Sequence, residues 1–143
     1  MIKKSITHDE CQKLLDCFYR CCRANKQFSE KFYETMFQME PQIKVMFSGV
    51  NMNEQGRLLM IGIEYLLRSF SDDNTVSLIQ LKRLGKKHDQ RNLNVHPKYY
   101  KFWKESLIKT IEESDERWNE EIHDLWVRAL DISIEEYLIS HYE

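Results

Sequence analysis

An all-α domain of six or seven helices is what this sequence predicts, on three observations. Glycines number 4 and prolines 2 among 143 residues, far fewer than sheets joined by tight turns require. Apolar residues recur at spacings of three and four along most of the chain, the period of a helix with one buried face. Caps and breakers then cut that pattern into helix-sized pieces: Thr7-His8-Asp9-Glu10, Pro41, Ser48-Gly49-Val50-Asn51, Ser71-Asp72-Asp73-Asn74 and Pro97. With 42% hydrophobic and 31% charged residues, and no repeat, linker or low-complexity stretch, residues 1–143 read as one domain. A chain of this length buries roughly 68% of its unfolded surface.

The elements follow in order. Thr7 and Glu10 have the spacing of a capping box, and behind them Leu14, Leu15, Phe18 and Cys22 form a helical stripe. A second helix follows Asn25-Lys26, with Phe28, Phe32 and Met36 on one stripe and Tyr33 and Phe37 beside it. Pro41 opens a short helical turn carrying Ile43, Met46 and Phe47. From about Met52 to Phe70 the apolar residues fall on nearly every side, which predicts a helix buried in the middle of the domain. Thr75 to about His88 is a shorter helix with Leu78, Leu81 and Leu84. After the polar loop Asp89-Gln90-Arg91-Asn92, Pro97 opens a helix with Tyr100, Trp103, Leu107 and Ile111. The last helix is expected to start near Glu116 and to run almost to the end through Trp126, Leu130 and Tyr137.

Several function classes drop out. Lys and Arg number 21 against 23 Asp and Glu, a net charge of −2, so the basic excess of an electrostatic nucleic-acid binder is absent. The glycines are too scattered to cradle a phosphate. The N-terminal lysines precede no apolar run, so no signal peptide is expected, and no stretch is apolar enough to span a membrane. The expected location is the cytoplasm. All four cysteines, Cys11, Cys17, Cys21 and Cys22, fall on the first helix. A disulfide framework would spread them along the chain, so they read as buried or half-buried thiols in a reducing compartment; a redox-sensing thiol cluster is the alternative.

Of the histidines, His8, His96, His123 and His141 are most simply surface residues. His88 differs, because it ends the apolar face marked by Leu81, Leu84 and Gly85. It could be a helix-terminal histidine favoured by the helix dipole, or a metal ligand. No second histidine, cysteine pair or carboxylate cluster stands at ligand spacing, which argues against a protein-only zinc site. Haem would suit a lone histidine, since the porphyrin supplies four nitrogens and the protein only an axial imidazole.

At this point the residues resemble a family. Leu84-Gly85-Lys86-Lys87-His88, the loop, Val95-His96-Pro97 and Tyr100 resemble the proximal region of globins. Phe32-Tyr33-Glu34-Thr35-Met36-Phe37, Pro41, Met46-Phe47 and Gln55-Gly56-Arg57-Leu58-Leu59 resemble the distal half of bacterial single-domain globins and of flavohaemoglobin globin domains. The likeness covers roughly 28–111, and in the last helix it rests on Trp126. It implies a globin fold around haem b, with His88 as axial iron ligand. Phe47 would pack flat on the porphyrin, and Tyr100 would lie near the axial histidine. Tyr33, Gln55 and Leu59 would line the distal side, the first two as hydrogen-bond donors to a bound gas. Gly56 would let its helix cross closely over the second, where Ser29 is also small.

The sequence also departs from the flavohaemoglobin pattern. The loop after His88 is about two residues longer. The glutamate that partners the proximal tyrosine and histidine is replaced by His141 in an ungapped count from Trp126, with Glu143 two residues off. The chain holds no reductase module, so a self-sufficient enzyme is not expected. What the resemblance implies is reversible binding of a diatomic gas: oxygen first, with nitric oxide and carbon monoxide as further ligands. The alternatives are nitric oxide dioxygenation with a separate reductase, and gas sensing through a partner. A haem-free globin-like module is disfavoured by the full set of pocket residues. The cluster Lys82, Arg83, Lys86, Lys87 and Arg91 reads as a solvated helix face, or as a patch for haem propionates or an acidic electron-transfer partner.

Overall fold

The computed structural model describes residues 5–88 and 93–140, all helix and connecting turn. Helices α1 (His8–Ala24), α2 (Phe28–Met39), α3 (Pro41–Met46), α4 (Met52–Arg68) and α5 (Thr75–His88) precede a 3-10 turn (Pro97–Tyr99). Then come α6 (Tyr100–Ser114) and α7 (Glu120–Ser133), and α7 runs on without a break into a π-helical segment (Ile134–Ile139). The all-α expectation holds. Arg91, His141 and Glu143 lie outside the described residues.

Local chemistry sets the helix starts. Thr7 and Glu10 form the reciprocal capping box, with bonds of 3.1 and 3.0 Å. Asn51 caps α4 by accepting the Glu54 N–H at 3.1 Å, and Asn119 caps α7 through the Ile122 N–H at 2.9 Å. Pro41 stands at the first turn of α3, where its missing N–H costs nothing. Gly49 supplies a φ of 79° in the turn that brings the chain from α3 to α4, a conformation that a side chain would strain.

The core gathers around Trp126 on α7, which is fully buried with Phe28 and Phe32 of α2, Leu14 of α1 and Leu107 and Ile111 of α6. On α1 the buried face is Cys11, Leu14, Leu15, Cys17, Phe18 and Cys21. All four cysteines are free thiols, and Cys22 alone of them is half-buried.

Three expectations are corrected. Helix α4 is amphipathic: Leu59, Ile63, Leu66 and Leu67 are buried, but Leu58 and Ile61 are 44% and 37% exposed. Its many apolar residues overstate its burial, because α1, α2 and α5 pack on it without covering Leu58 and Ile61. The last helix starts at Glu120 rather than near Glu116, since Asp115 organises the preceding corner. Pro97 opens the 3-10 turn, and α6 follows it; the His96 imidazole caps the turn by accepting the Lys98 N–H at 3.1 Å.

That Asp115 corner ties α1 to α6 and α7. The carboxylate, 4% exposed, accepts from Arg20 Nε and Nη2 at 2.7 and 2.9 Å, from the Cys17 thiol at 2.9 Å and from the Arg117 N–H at 3.0 Å. Cys17 Sγ in turn accepts from Trp126 Nε1 at 3.3 Å. Burial pushes the Asp115 carboxyl up, but these bonds and the Arg20 charge outweigh it and hold the pKa at about 2, against an ordinary 3.8. A lowered carboxyl pKa contributes stability that is present above the unfolded value and lost as pH falls through the folded one. The Cys17 thiol, hydrogen-bonded with Cys21, desolvated and donating to Asp115, is held far above its usual range and stays protonated.

Helices α2 and α4 cross closely where both carry small residues. A Cβ built at Gly56 would stand 2.7 Å from Ser29 Oγ and 3.2 Å from Ser29 Cβ. Only glycine fits without a shift.

Two outcomes follow. Asp115→Asn should lower stability at neutral pH by roughly 2 kcal/mol or more, at about 1.4 kcal/mol per pKa unit. In urea denaturation the gap to wild type should close as pH drops from about 4 to about 2; a gap constant over that range would mean that the carboxylate is not held by these partners. Gly56→Ala should cost about 1–3 kcal/mol by overpacking, and Ser29→Ala in the same chain should recover part of it. Additive losses in the double variant would place the clash elsewhere.

Candidate functional site

Two groups of residues, one on α2, α3 and α4 and the other at the end of α5, make up the candidate site. The first is built on Tyr33. Helix α2 presents its ring into the core, 6% exposed, edge-on to Phe32 at 4.9 Å and tilted against Phe37 and Phe47 at 5.9 and 5.5 Å between centroids. Phe47, half-buried at the end of α3, closes this aromatic group with Phe37 at 5.5 Å. The first turn of α4 brings Gln55 over it, and the amide Nε2 donates to the Tyr33 hydroxyl at 3.1 Å. The close α2–α4 crossing at Gly56, the next residue, sets that approach.

The direction of this bond matters chemically. The Tyr33 oxygen is an acceptor for Gln55, so its own proton is left for another acceptor, and accepting a bond polarises the O–H and makes it a better donor. Burial raises the Tyr33 pKa above the ordinary value, while the Gln55 bond lowers it by less. The phenol therefore stays neutral and keeps its proton at physiological pH. Leu59, one helical turn beyond Gln55, is 8% exposed and gives the same face of α4 an apolar wall.

The second group centres on His88, at the C-terminal end of α5. Its Nδ1 lies 2.8 Å from the Leu84 carbonyl oxygen. A carbonyl only accepts, so Nδ1 carries the hydrogen and Nε2 keeps the ring's lone pair. Desolvation lowers the His88 pKa and Lys87 lowers it further, while the bond to Leu84 works in the opposite direction. The result is a neutral imidazole with a fixed tautomer, the form in which histidine ligates metal. The chain then turns back: the Leu93 and Val95 N–H groups donate to the Lys87 and His88 carbonyls, both at 3.1 Å, with Asn94 at φ 53° between them. This return carries the chain to the 3-10 turn and to Tyr100, 6% exposed at the start of α6.

Among the described residues no group of three histidine, cysteine or acidic side chains could hold a metal ion. A single neutral imidazole facing one open nitrogen suits a metal that brings its own equatorial ligands, which is how haem is bound. The donor set fits that group. Tyr33, Gln55 and Phe47 are brought into direct contact; Leu59 follows on the same helix face, and His88 stands on the adjoining helix. Leu84 was missed as a participant by sequence reasoning, although a backbone carbonyl four residues before a helix-terminal histidine is a foreseeable partner. The π-helical segment was missed too. It packs on α5 and α7; Ile134, Tyr137 and Leu138 are buried, while its acidic residues Glu135 and Glu136 are exposed.

Comparison with known proteins bears on the family and the fold. The model of the family described as Globin matches residues 30–136. A crystal structure from Pseudomonas aeruginosa PAO1, of a protein described as structurally highly homologous to a human haemoglobin, is similar to this chain. Its TM-score is 0.75 at 26% sequence identity, over 90% of this chain and 98% of that one. No curated protein matches. The helical architecture, the histidine that ends α5 and a family match over most of the chain converge, and the chain belongs to the globin family, whose members bind haem.

Proposed function

We propose that this globin holds haem b through His88 and reversibly binds a diatomic gas, oxygen foremost, with Tyr33 and Gln55 as the distal hydrogen-bonding pair. The observation that carries this reading is the 3.1 Å bond from Gln55 into the Tyr33 hydroxyl within an aromatic surround. Haem, when bound, supplies an iron centre that takes up the gas. The chain's residues do the rest. His88 would hold the iron through Nε2, and the Leu84 carbonyl keeps the ring from rotating. Phe47 and Leu59 keep the site apolar, and Tyr33 presents a polarised proton to the more negative end of a polar ligand. Nitric oxide and carbon monoxide are expected to bind at the same place, the latter with little help from the tyrosine because it is less polar when bound.

The neutral Leu84 carbonyl as partner of His88 favours this reading over nitric oxide dioxygenation with a separate reductase. A carboxylate partner would make the imidazole more electron-donating and favour O–O chemistry, whereas a backbone carbonyl does so weakly. Four free cysteines suit a reducing compartment, in keeping with a cytoplasmic carrier or store.

His88→Ala should abolish stable haem retention, with partial rescue by added imidazole, read as loss and return of the Soret band. Tyr33→Phe should speed oxygen dissociation about ten- to a hundredfold, because a hydrogen bond to a charged acceptor contributes on the order of 1.5–3 kcal/mol. Carbon monoxide dissociation should barely change. An unaltered Soret band in the first variant, or an unaltered oxygen off-rate in the second, would overturn the corresponding assignment.

A further inference from the structure

Helix α5 is charged in one sense only. It carries Lys82, Arg83, Lys86 and Lys87, all exposed, and no aspartate or glutamate, in a chain whose net charge is −2. Arg83 and Lys87, and likewise Lys82 and Lys86, are four residues apart, a like-charge spacing that disfavours the helix. The helix dipole favours cations in the last turn, which accounts for Lys86 and Lys87 but not for the pair above them. The same outward stripe begins with Val76 and Ile79, 63% and 46% exposed, and steps of three and four residues carry it on to Arg83 and Lys87. It is an apolar patch followed by a basic one on the helix that ends in His88.

We propose that this outer face of α5 is the docking surface for an acidic electron-transfer protein that returns the haem iron from ferric to ferrous. The proposal rests on the haem reading above. The partner's reduced centre, a flavin or an iron–sulfur cluster, gives up one electron and the ferric iron takes it up; no covalent bond forms or breaks. The basic residues would steer the encounter, and Val76 and Ile79 would supply the dry contact beside them. Docking there would put the partner across the width of α5, roughly 10–12 Å, from the His88 ring that would hold the haem. A second copy of this chain fits poorly, because a two-fold pairing through this face would set the cations of one α5 against those of the other.

Flavodoxin, a small acidic one-electron flavoprotein, serves as the probe. Binding is measured by calorimetric titration at low and high ionic strength, and reduction by flavodoxin hydroquinone is followed at the Soret band. We expect wild type to bind at low ionic strength and to weaken with salt. Arg83→Gln/Lys87→Gln should bind about tenfold or more weakly and lose most of the salt dependence, with electron transfer slowed in parallel. Val76→Ser/Ile79→Ser should weaken binding while keeping the salt dependence, and Lys109→Gln on α6 should behave as wild type. Wild-type-like binding by the Arg83→Gln/Lys87→Gln protein, no binding by wild type, or capture by phosphatidylserine vesicles in preference to flavodoxin would each overturn the docking surface. The titration needs no haem. A chain that binds flavodoxin as expected but shows no Soret band would refute the haem reading instead.

Discussion

The hydrogen bond between His88 Nδ1 and the Leu84 carbonyl, 2.8 Å long, is the constraint on which the proposed chemistry depends. A histidine at the end of a helix is free to rotate and to exchange tautomers; one whose Nδ1 is spent on its own backbone has a single orientation and a single available nitrogen. Burial then makes the protonated form costly, so the ring stays neutral. The surrounding fold keeps this arrangement rigid. Helix α5 is sandwiched between α4 and the π-helical segment, and the backbone returns from Leu93 and Val95 occupy carbonyls at its end that would otherwise be open.

On the opposite side the positioning runs through backbone contact rather than through charge. Gly56 admits α4 against Ser29 of α2, and that approach puts Gln55 within hydrogen-bond distance of a tyrosine fixed by three phenylalanines. A side chain at residue 56 would lift α4, and with it both Gln55 and Leu59. The buried Asp115 corner acts at longer range: it locks α1 to α6 and α7, so that the platform under α2 and α4 does not slide.

Much of this was legible in the sequence because it is local. The capping box at Thr7, the break at Gly49, the amphipathic stripes and the histidine closing the α5 face are all written within a few residues of where they act. The family resemblance then joined Tyr33 to Gln55, a pairing that 22 residues of separation would otherwise hide. Long-range properties were harder to read. The solvent exposure of Leu58 and Ile61 depends on which neighbours cover α4. The late start of α7 depends on Asp115 finding Arg20, 95 residues away. The π-helical winding of Ile134–Ile139 was invisible to a count that assumes α-helical steps, and it shifts these residues from the faces such a count assigns.

The proximal claim is that His88 is polarised by the neutral Leu84 carbonyl, and it has a direct spectroscopic readout. In the ferrous, five-coordinate, haem-loaded protein, resonance Raman scattering gives the iron–histidine stretching frequency, which rises as the imidazole gains anionic character. With Leu84 as the partner we expect a frequency in the range of oxygen-storage globins. A frequency in the higher range of peroxidases and flavohaemoglobins would contradict this, and would mean that a carboxylate has taken the place of the Leu84 carbonyl.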